Sequence, residues 1–470
     1  MKVEQIYTGC LAEAAYYIHS EGEAVIIDPL RETAPYLERA KQDGVKIKYI
    51  FLTHFHADFV SGQVDLAKAS GATIVFGPTA KADYDFHEAH DGEQFKLGNV
   101  TFEWLHTPGH TLESSTILLK DENRNDYCIF TGDTLFIGDV GRPDLAIKQG
   151  ALTEEDLASL LYDSLRKRIM PLADSVIVYP AHGAGSACGK KMSKETYDTL
   201  GNQKQTNYAL RADMSKDEFI KEVLDGLSQP PQYFPLNVMM NKTVNSSIDE
   251  IINRGTKALS VELMKQEVNN GALLLDVRHQ NDFVKAHIPG SIFIGLDGGF
   301  APWVGALIPA INQAIVLIAE EGREEEAVTR LSRIGYDNSV GYLKGGLQSW
   351  MDAGEEVDQI KTVSAEELET KLESEQLSIV DVRKKSEYEA EHLEGAINDP
   401  LDDINLYMSE FDTNTTYFIH CAGGYRSVIF ESILKSRGIH NFVDILGGFG
   451  SIKSKTDLPV TAFVCPSTLK

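Results

Sequence analysis

The sequence predicts an α/β protein of several domains, and three features of the chain support this. At 470 residues the chain is longer than one hydrophobic core usually organises, so two to four domains are expected. Apolar runs typical of strands, such as residues 314–319, alternate with amphipathic stretches typical of helices. Residues 273–292 also align without gaps within the segment 377–397, at a constant offset of 105. Two copies about a hundred residues long indicate two small α/β domains rather than a solenoid.

Two polar stretches without a clear period separate these regions. Residues 228–247 contain three prolines, and we predict a linker or a domain-closing segment there. Residues 357–362 form a second, shorter joint. The predicted domains are therefore residues 1–245, 248–356 and 361–470.

Composition excludes several classes of partner. The chain carries 70 acidic and 44 basic residues, and its formal charge of -26 argues against binding to nucleic acid or to an anionic membrane. It has no apolar run long enough to span a membrane, and its first residues lack the layout of a signal peptide. Its cysteines are too few and too scattered for a disulfide framework, which fits a reducing compartment; they are Cys10, Cys128, Cys188, Cys421 and Cys465. We expect a cytoplasmic protein.

The first predicted domain contains a pattern of histidine and aspartate typical of a metal site. In the run THFHADF, His54, His56 and Asp58 alternate, so an extended segment would turn all three towards one side. Further candidate ligands each follow an apolar run and lie in a turn; they are His110, Asp133 and His182. Loops at strand ends converge in α/β folds, so these groups are predicted to form one metal site.

Four motifs, THFHAD, TPGHT, FTGDTLF and YPAHG, resemble in this order those of the metallo-β-lactamase superfamily. The resemblance implies an αββα sandwich. In two-metal members the motif His-x-His-x-Asp-His ends in a histidine that ligates the second metal, and here Phe59 stands in its place. An apolar ring cannot ligate a cation, so we expect one metal.

Among single-metal branches, the chain is most similar to the persulfide dioxygenases, which hold Fe(II). The resemblance implies ligation by His54, His110 and Asp133, a set that leaves positions open for O₂ and a persulfide sulfur. The remaining polar groups are then expected to orient the ligands or to hydrogen-bond water and substrate; they are His56, Asp58 and His182.

Three further residues of this domain are candidates with an open role. The stretch GDVGRPDL also resembles the persulfide dioxygenases, and Arg142 in it is predicted to meet a carboxylate of a thiol carrier, or else to be an exposed turn residue. Lys190 is predicted to do similar work. Cys188 lies a few residues after His182, and it either binds or relays sulfur or is a small buried side chain.

A second constellation occurs in the last predicted domain. Residues 416–438 indicate a strand, the loop CAGGYR and a helix that begins near Ser427. Inward N–H groups and a helix N-terminus would stabilise a thiolate or persulfide at Cys421, and Arg426 would add a charge for sulfite. We expect the anion to be bound by the rest of the loop as well, namely Ala422, Gly423, Gly424, Tyr425 and Ser427.

Residues 361–470 resemble a rhodanese domain, a sulfurtransferase that carries sulfane sulfur on its loop cysteine. The sister repeat has the same frame, but VLIAEEGREEEAV stands at the place of the loop, and no cysteine occurs between residues 189 and 420. We therefore expect the sister repeat to be catalytically silent, as a spacer or a docking domain. A ligand role for Glu320, Glu321 and Arg323 is the alternative to a solvated helix start.

Together the three parts resemble bacterial fusions of a persulfide dioxygenase with a sulfurtransferase. The resemblance implies that O₂ oxidises a persulfide at one Fe(II) per chain to a thiol and sulfite. Sulfite then takes sulfur from Cys421 to give thiosulfate, a route of sulfide detoxification in a homo-oligomer. One alternative is a zinc thioester hydrolase of the glyoxalase II kind, which Phe59 disfavours. The other is a non-catalytic sulfur carrier or scaffold. The identity of the carrier thiol stays open.

Overall fold

The computed structural model describes residues 1–146, 152–227, 229–412 and 414–464, so Cys465 lies outside the described residues. They divide into two compact units, the first made mainly of residues up to Ile248 and the second mainly of residues from Asp249 onward. Each unit mixes helices with sheets. The predicted α/β multidomain class is therefore confirmed.

The first unit contains two six-stranded sheets, whose strand orders are β1-β2-β3-β4-β5-β6 and β12-β11-β10-β9-β8-β7. The strands of the first sheet are β1 (Lys2–Thr8), β2 (Glu13–Ser20), β3 (Glu23–Ile27), β4 (Lys46–Phe51), β5 (Thr73–Phe76) and β6 (His87–Glu88). Those of the second are β7 (Gln94–Leu97), β8 (Val100–His106), β9 (Ser115–Lys120), β10 (Asp126–Gly132), β11 (Ile177–Pro180) and β12 (Asp198–Thr199). The helices are α1 (Ala34–Asp43), α2 (Gln63–Ser70), α3 (Glu154–Ser164), α4 (Leu200–Thr206), α5 (Lys216–Leu224) and α6 (Phe234–Asn241), with a π-helical turn at Leu165–Ile169 and a 3₁₀ turn at Tyr208–Leu210.

The two sheets of the first unit pack face to face. Side chains from both sheets form one buried cluster, in which Phe51 meets Trp104 edge to face with ring centroids 5.3 Å apart. Burial of each such ring contributes roughly 2–3 kcal/mol. Helices α1 and α2 cover the outer face of the first sheet through Tyr36 and Leu66, and α3 and α5 cover the second through Leu161 and Phe219. The layers follow the order αββα.

The proline-containing segment 228–247 is more than a linker. It forms helix α6, which has a proline in its first turn, as the fixed backbone angle of proline favours. Val238 of this helix packs against the cluster outside the first sheet. The segment therefore closes the first unit, which is the second of the two roles predicted for it.

The second unit contains two five-stranded sheets with the same strand order, β13-β17-β16-β14-β15 and β18-β22-β21-β19-β20. All their strand pairs are parallel. The first repeat comprises α7 (Ile248–Gly255), β13 (Ala258–Leu259), α8 (Val261–Asn269), β14 (Leu273–Asp276), α9 (Gln280–Lys285), β15 (Ile292–Phe293), α10 (Phe300–Leu307), β16 (Ile315–Ile318), α11 (Glu324–Arg333), β17 (Ser339–Leu343) and α12 (Gly346–Asp352).

The second repeat follows the same alternation. Its elements are β18 (Thr362–Val363), α13 (Ala365–Leu372), β19 (Ser378–Asp381), α14 (Lys385–Ala390), β20 (Ile397–Asn398), α15 (Ile404–Tyr407), β21 (Tyr417–His420), α16 (Tyr425–Ser436), β22 (Phe442–Ile445) and α17 (Gly448–Lys455), with 3₁₀ turns at Leu401–Asp403 and Met408–Glu410. Within the part of the chain that the structure describes, no helix is both long and apolar enough to cross a membrane.

Candidate metal centre and persulfide loop

Three buried side chains from three strand ends meet in the first unit. His54 follows β4, His110 follows β8 and Asp133 follows β10, and one donor atom of each lies within 4.8 Å of the others. Asp133 Oδ2 is 3.7 Å from His54 Nε2 and 3.4 Å from His110 Nε2. This oxygen is buried and has no hydrogen-bond partner among the described residues. A buried carboxylate oxygen between two imidazole nitrogens is costly unless a cation satisfies it, so the donor set fits a metal ion.

Neighbouring groups orient the two imidazoles of this site. His110 Nδ1 is 2.8 Å from the carbonyl oxygen of Arg142 and donates to it. His54 Nδ1 is 3.0 Å from Thr53 Oγ1, and that hydroxyl donates to Asp28 Oδ2 over 2.7 Å. Each ring thus carries its proton on Nδ1 and presents Nε2 to the centre. Burial, helped by the adjacent His56, holds the pKa of His54 well below its usual value, so the ring is neutral and able to ligate.

His182 lies between two carboxylates beside this centre. Its Nδ1 is 2.7 Å from Asp133 Oδ1 and its Nε2 is 2.8 Å from Asp58 Oδ2. Burial lowers the pKa of His182, but the charges of Asp133 and Asp58 outweigh it and raise the pKa well above its usual value. Burial likewise raises the pKa of Asp133, but the surrounding histidines outweigh burial and hold the pKa of this carboxyl well below its usual value. One oxygen of Asp133 is thus committed to His182, and the other faces His54 and His110.

His56 is buried but belongs to neither group of candidate ligands. Its Nε2 is 3.1 Å from Asp28 Oδ1, and its ring packs against that of Phe59, with centroids 4.3 Å apart. Phe59 is itself fully buried. His56 therefore connects the metal loop, residues 52–62 between β4 and α2, to Asp28, and the ring of Phe59 forms an apolar wall beside it.

The thiol of Cys188 lies beside the same centre. Donor atoms of Asp58, His182 and Cys188 lie within 4.8 Å of one another, and all three residues are buried. Burial raises the pKa of the Cys188 thiol well above its usual value. The prediction of a single metal rested on Phe59 and took no account of this thiol. The structure thus brings a second set of possible ligands next to the first.

The loop of residues 421–426 in the second repeat, called the persulfide loop after the role predicted for Cys421, turns a backbone N–H towards its cysteine. Cys421 follows β21, and the N–H of Gly424 donates to Cys421 Sγ over 3.1 Å. The carbonyl oxygen of Cys421 accepts from the N–H of Phe449 over 2.7 Å. A side chain at Gly448 would overlap that carbonyl oxygen, which explains why glycine precedes Phe449 in the LGGF run. Helix α16 begins at Tyr425, two residues before the predicted start, and its N-terminus adds positive potential.

The charge of Arg426 is already paired. Its guanidinium donates to both carboxylate oxygens of Glu387, over 2.6 and 2.9 Å, and this carboxylate raises the pKa of Arg426. Ala422 and Gly423 are exposed at the mouth of the loop, whereas Ser427 is buried. An incoming anion would therefore meet the backbone of Ala422 and Gly423 first, and would compete with Glu387 for the arginine.

Comparison with known proteins agrees with this geometry. The profile of the metallo-beta-lactamase superfamily matches residues 8–182, and that of the rhodanese-like domain matches residues 260–353 and 364–455. The mitochondrial persulfide dioxygenase ETHE1 of Mus musculus is 32% identical over 222 residues, which are 47% of this chain and 78% of that protein. The chain belongs to the metallo-beta-lactamase superfamily. In this member, a domain homologous to ETHE1 is followed by two rhodanese-like domains, and the fusion predicted from the motifs is confirmed.

Other members of the superfamily match over shorter or longer regions. A hydroxyacylglutathione hydrolase of Tolumonas auensis is 33% identical over 171 residues, which are 36% of this chain and 60% of that protein. Among solved structures, a metallo-beta-lactamase from Staphylococcus aureus is 31% identical, with a TM-score of 0.64. It covers 73% of this chain and 98% of its own.

Sequence reasoning missed Asn241, which holds the metal loop of this superfamily member in place. Its Nδ2 donates to the carbonyl oxygens of His56 and Phe59, each over 2.8 Å, and its Oδ1 accepts from the N–H of Ser61 over 2.8 Å. The residue ends α6, inside the segment for which a linker was one of two predictions. No local signal in the sequence connects it with a loop so far away in the chain.

The two cations predicted to meet a thiol carrier are engaged elsewhere. Arg142 is buried, and its guanidinium forms two hydrogen bonds of 2.7 Å to the carboxylate of Asp144. Lys190 Nζ donates to the carbonyl oxygens of Glu222 and Asp225, over 2.7 and 2.8 Å, at the end of α5. These contacts stabilise the surroundings of the site and give no support to the predicted role in carrier binding.

In the first rhodanese-like repeat, the place of the persulfide loop is a charged turn. Arg323 pairs with Glu326 and Asp297, each at 2.9 Å, and Glu320 and Glu321 are exposed. These contacts are those of a solvated helix start. With no cysteine in residues 189–420, this repeat cannot form a cysteine persulfide.

Proposed function

We propose that this chain is a persulfide dioxygenase and thiosulfate sulfurtransferase. In this proposal one Fe(II) per chain, bound by His54, His110 and Asp133, supplies a redox site with open positions for O₂ and a persulfide sulfur. The observation that carries the proposal is Asp133 Oδ2, which lies between the Nε2 atoms of His54 and His110 without a hydrogen-bond partner among the described residues, in a domain 32% identical to ETHE1. Overall, R-S-SH, O₂ and water give R-SH, sulfite and two protons.

The surrounding residues have distinct roles in this proposal. Thr53 and the carbonyl of Arg142 keep the two imidazoles turned towards the centre. Phe59 excludes water from one side. The oxidation releases protons, and Asp58 Oδ1, which is buried and has no hydrogen-bond partner in the described part of the chain, is available to accept one. His182 keeps the other Asp58 oxygen in place.

Sulfur transfer is proposed to occur at Cys421. The thiol attacks the outer sulfur of R-S-SH, so that Cys421-S-SH forms and R-SH leaves. Sulfite then attacks the outer sulfur of Cys421-S-SH, so that thiosulfate forms and the Cys421 thiolate leaves. The Gly424 N–H stabilises the anionic sulfur in both steps. For the sulfite step, Arg426 exchanges Glu387 for the incoming anion.

A zinc thioester hydrolase with a sulfurtransferase domain is the second candidate. The hydroxyacylglutathione hydrolase of Tolumonas auensis is 33% identical over its matched region. The group Asp58, His182 and Cys188 also offers donors for a second ion. Phe59 argues against this candidate, because hydrolysis at a pair of metals needs a metal ligand at the position that Phe59 occupies.

Reconstitution with a single metal separates the two candidates. The protein is prepared without metal under anaerobic conditions, loaded with Fe(II) or Zn(II), and assayed on glutathione persulfide and on a glutathione thioester. We expect O₂ uptake with persulfide in the iron form alone, abolished by His110→Ala and retained by His87→Ala, a matched change at an exposed histidine. Thioester hydrolysis by the zinc form without O₂ uptake by the iron form would favour the hydrolase.

Domain boundaries at residues 1–245, 248–356 and 361–470 and a homo-oligomeric, cytoplasmic state remain part of this proposal.

A further inference from the structure

The first rhodanese-like repeat has no cysteine, yet it holds the side chain that follows the persulfide loop of the second. Tyr425 comes directly after Gly424, whose N–H meets Cys421 Sγ. The Tyr425 hydroxyl donates to the carbonyl oxygen of Gly295 over 2.7 Å. Its ring meets that of Phe293 edge to face, with centroids 5.8 Å apart. The first residue of α16 is thus anchored in the other repeat.

Gly298 leaves room for this ring. A methyl group added at Gly298 would lie 2.6 Å from Tyr425 Cε1 and closer still to two other ring atoms. The backbone of Gly298 is not in the left-handed region, so its conformation does not require glycine. Glycine is therefore needed at this position because the Tyr425 ring occupies the space that a side chain would take.

Two more contacts hold α16 along its length. The hydroxyl of Ser432 accepts from the backbone N–H of Phe293, over 3.0 Å, on the edge strand β15. Lys435 Nζ is 2.8 Å from Asp358 Oδ2, in the segment between the repeats. Tyr425 and Ser432 are seven residues apart, so they share one face of the helix. That face fixes the helix against the silent repeat, and the helix N-terminus in turn fixes the loop.

Tyr425 and Arg426 anchor the loop from two sides. Consecutive helical residues point about 100° apart, and here Tyr425 enters the silent repeat while Arg426 pairs with Glu387 of its own repeat. Both anchors lie directly after Gly424, whose nitrogen is 3.1 Å from Cys421 Sγ. A shift of Tyr425 by a fraction of its ring width would move that nitrogen away from the sulfur.

We propose that the cysteine-free repeat positions the persulfide loop, through a seat for Tyr425 made by Gly295 and Gly298. Tyr425 is then a positioning residue, which acts on Cys421 through Gly424. This inference rests on the proposed sulfur transfer at Cys421 and gives the silent repeat a function in it. Loss of the seat should weaken one hydrogen bond to an anionic sulfur, an effect of about tenfold.

The test uses full-length protein and two readouts. The first is the pH dependence of Cys421 alkylation, followed by mass spectrometry of the peptide, which reports the thiol pKa. The second is sulfur transfer from thiosulfate to cyanide. We expect Gly298→Ala to raise the pH midpoint of alkylation by about one unit and to slow transfer about tenfold. Tyr425→Phe, which keeps the ring but loses the bond to Gly295, should give a smaller change of the same sign.

Controls show whether the effect passes through the ring. Gly299→Ala is the matched change, because its added methyl group would meet only the Trp303 side chain, at 3.3 Å. It should leave both readouts at parent values. In a Tyr425→Leu background, Gly298→Ala should add little, because the ring that it displaces is gone. O₂ uptake by the iron domain should be the same in all variants.

Two results would contradict the proposal that Gly295 and Gly298 position Tyr425. One is a Gly298→Ala protein that is alkylated and transfers sulfur as the parent does. The other is an equal loss from Gly298→Ala in the parent and in the Tyr425→Leu background, which would mean a general destabilisation. Alkylation requires no sulfur transfer. If Cys421→Ser transferred sulfur as fast as the parent, the proposed function would be refuted. The alkylation measurement would still test whether Gly295 and Gly298 position Tyr425.

Discussion

His182 joins Asp58 to Asp133: its Nε2 is 2.8 Å from Asp58 Oδ2 and its Nδ1 is 2.7 Å from Asp133 Oδ1. The His182 ring thus pairs with one oxygen of each carboxylate, and Asp133 Oδ2 is left facing His54 and His110. A second metal at Asp58 and Cys188 would have to displace the proton on His182 Nε2. If His182 only bridges the two carboxylates, the protein should bind one metal per chain, and if His182 is a ligand of a second metal, it should bind two. The metal content therefore distinguishes the two roles of His182.

The first prediction is that the parent and Cys188→Ala each bind one iron per chain. Cys188 lies beside the centre, but in this account its thiol ligates nothing. Metal is measured by mass spectrometry after anaerobic loading with excess Fe(II) and Zn(II) and removal of the free ions. Two metals in the parent and one in Cys188→Ala would make Asp58, His182 and Cys188 a second metal site.

Removal of Asn241 should weaken metal binding without touching a ligand. Asn241→Ala deletes four hydrogen bonds to the loop that carries His54. Changes to groups that support metal ligands typically cost 10–100-fold in affinity, and we expect a loss of about that size. Competition with a coloured chelator measures it. Asn123→Ala, in the exposed turn between β9 and β10, is the control, and equal affinities of the two variants would contradict the role of Asn241.

Release of Arg426 from Glu387 should strengthen anion binding at the persulfide loop. In Glu387→Gln the guanidinium loses its carboxylate partner, so the KM for thiosulfate should fall about threefold or more, as expected for one charge-assisted contact. Steady-state transfer to cyanide gives the value. Glu389→Gln, on the same helix but paired with Lys385, should leave KM unchanged. An unchanged or higher KM in Glu387→Gln would mean that Arg426 does not meet the anion.

Asp444 should make the stability of the second unit depend on pH. Burial raises the pKa of Asp444 to about 7, whereas an unfolded aspartate has a pKa of about 3.9. The folded state therefore binds this proton more tightly, and the resulting stabilisation is full below about pH 4 and is lost as the pH rises through 7. The loss is on the order of 4 kcal/mol.

Thermal melts between pH 5 and 9 test this dependence. Asp444→Asn should lose less stability than the parent over this range, and Asp457→Asn, at an exposed carboxylate, should follow the parent. Identical pH profiles of the parent and Asp444→Asn would contradict the assignment. In the first repeat, Tyr342 occupies the strand position of Asp444, since Ala258 pairs with Tyr342 as Thr362 pairs with Asp444, so the fold itself does not require the acid.

The strand ends and the ligand motifs could be predicted from the sequence because both are local. A run such as YIFLT before His54 identifies the strand and the turn together, and the order of four such turns carries the family resemblance. The two repeats could be aligned for the same reason. Cys421 and its loop follow from the short segment between β21 and α16.

Contacts between distant segments could not be predicted in this way. Asn241 supports the loop of His56 and Phe59 only because α6 folds back on the first unit. Cys188 reaches Asp58 through the packing of both sheets. Tyr425 was predicted as a loop residue, but the phase of α16 and the packing of the repeats turn it towards Gly295. A single sequence carries no local signal for such pairs.

The products of Cys421→Ser test the central claim, that oxidation and sulfur transfer lie on different domains, most directly. The iron-loaded variant is given glutathione persulfide, the reaction is stopped early, and sulfite and thiosulfate are both derivatised with a thiol-reactive fluorophore. Since His54, His110 and Asp133 are untouched, O₂ uptake should continue at the parent rate while the product changes from thiosulfate to free sulfite. Thiosulfate formed at the parent rate, or a loss of O₂ uptake, would contradict the account.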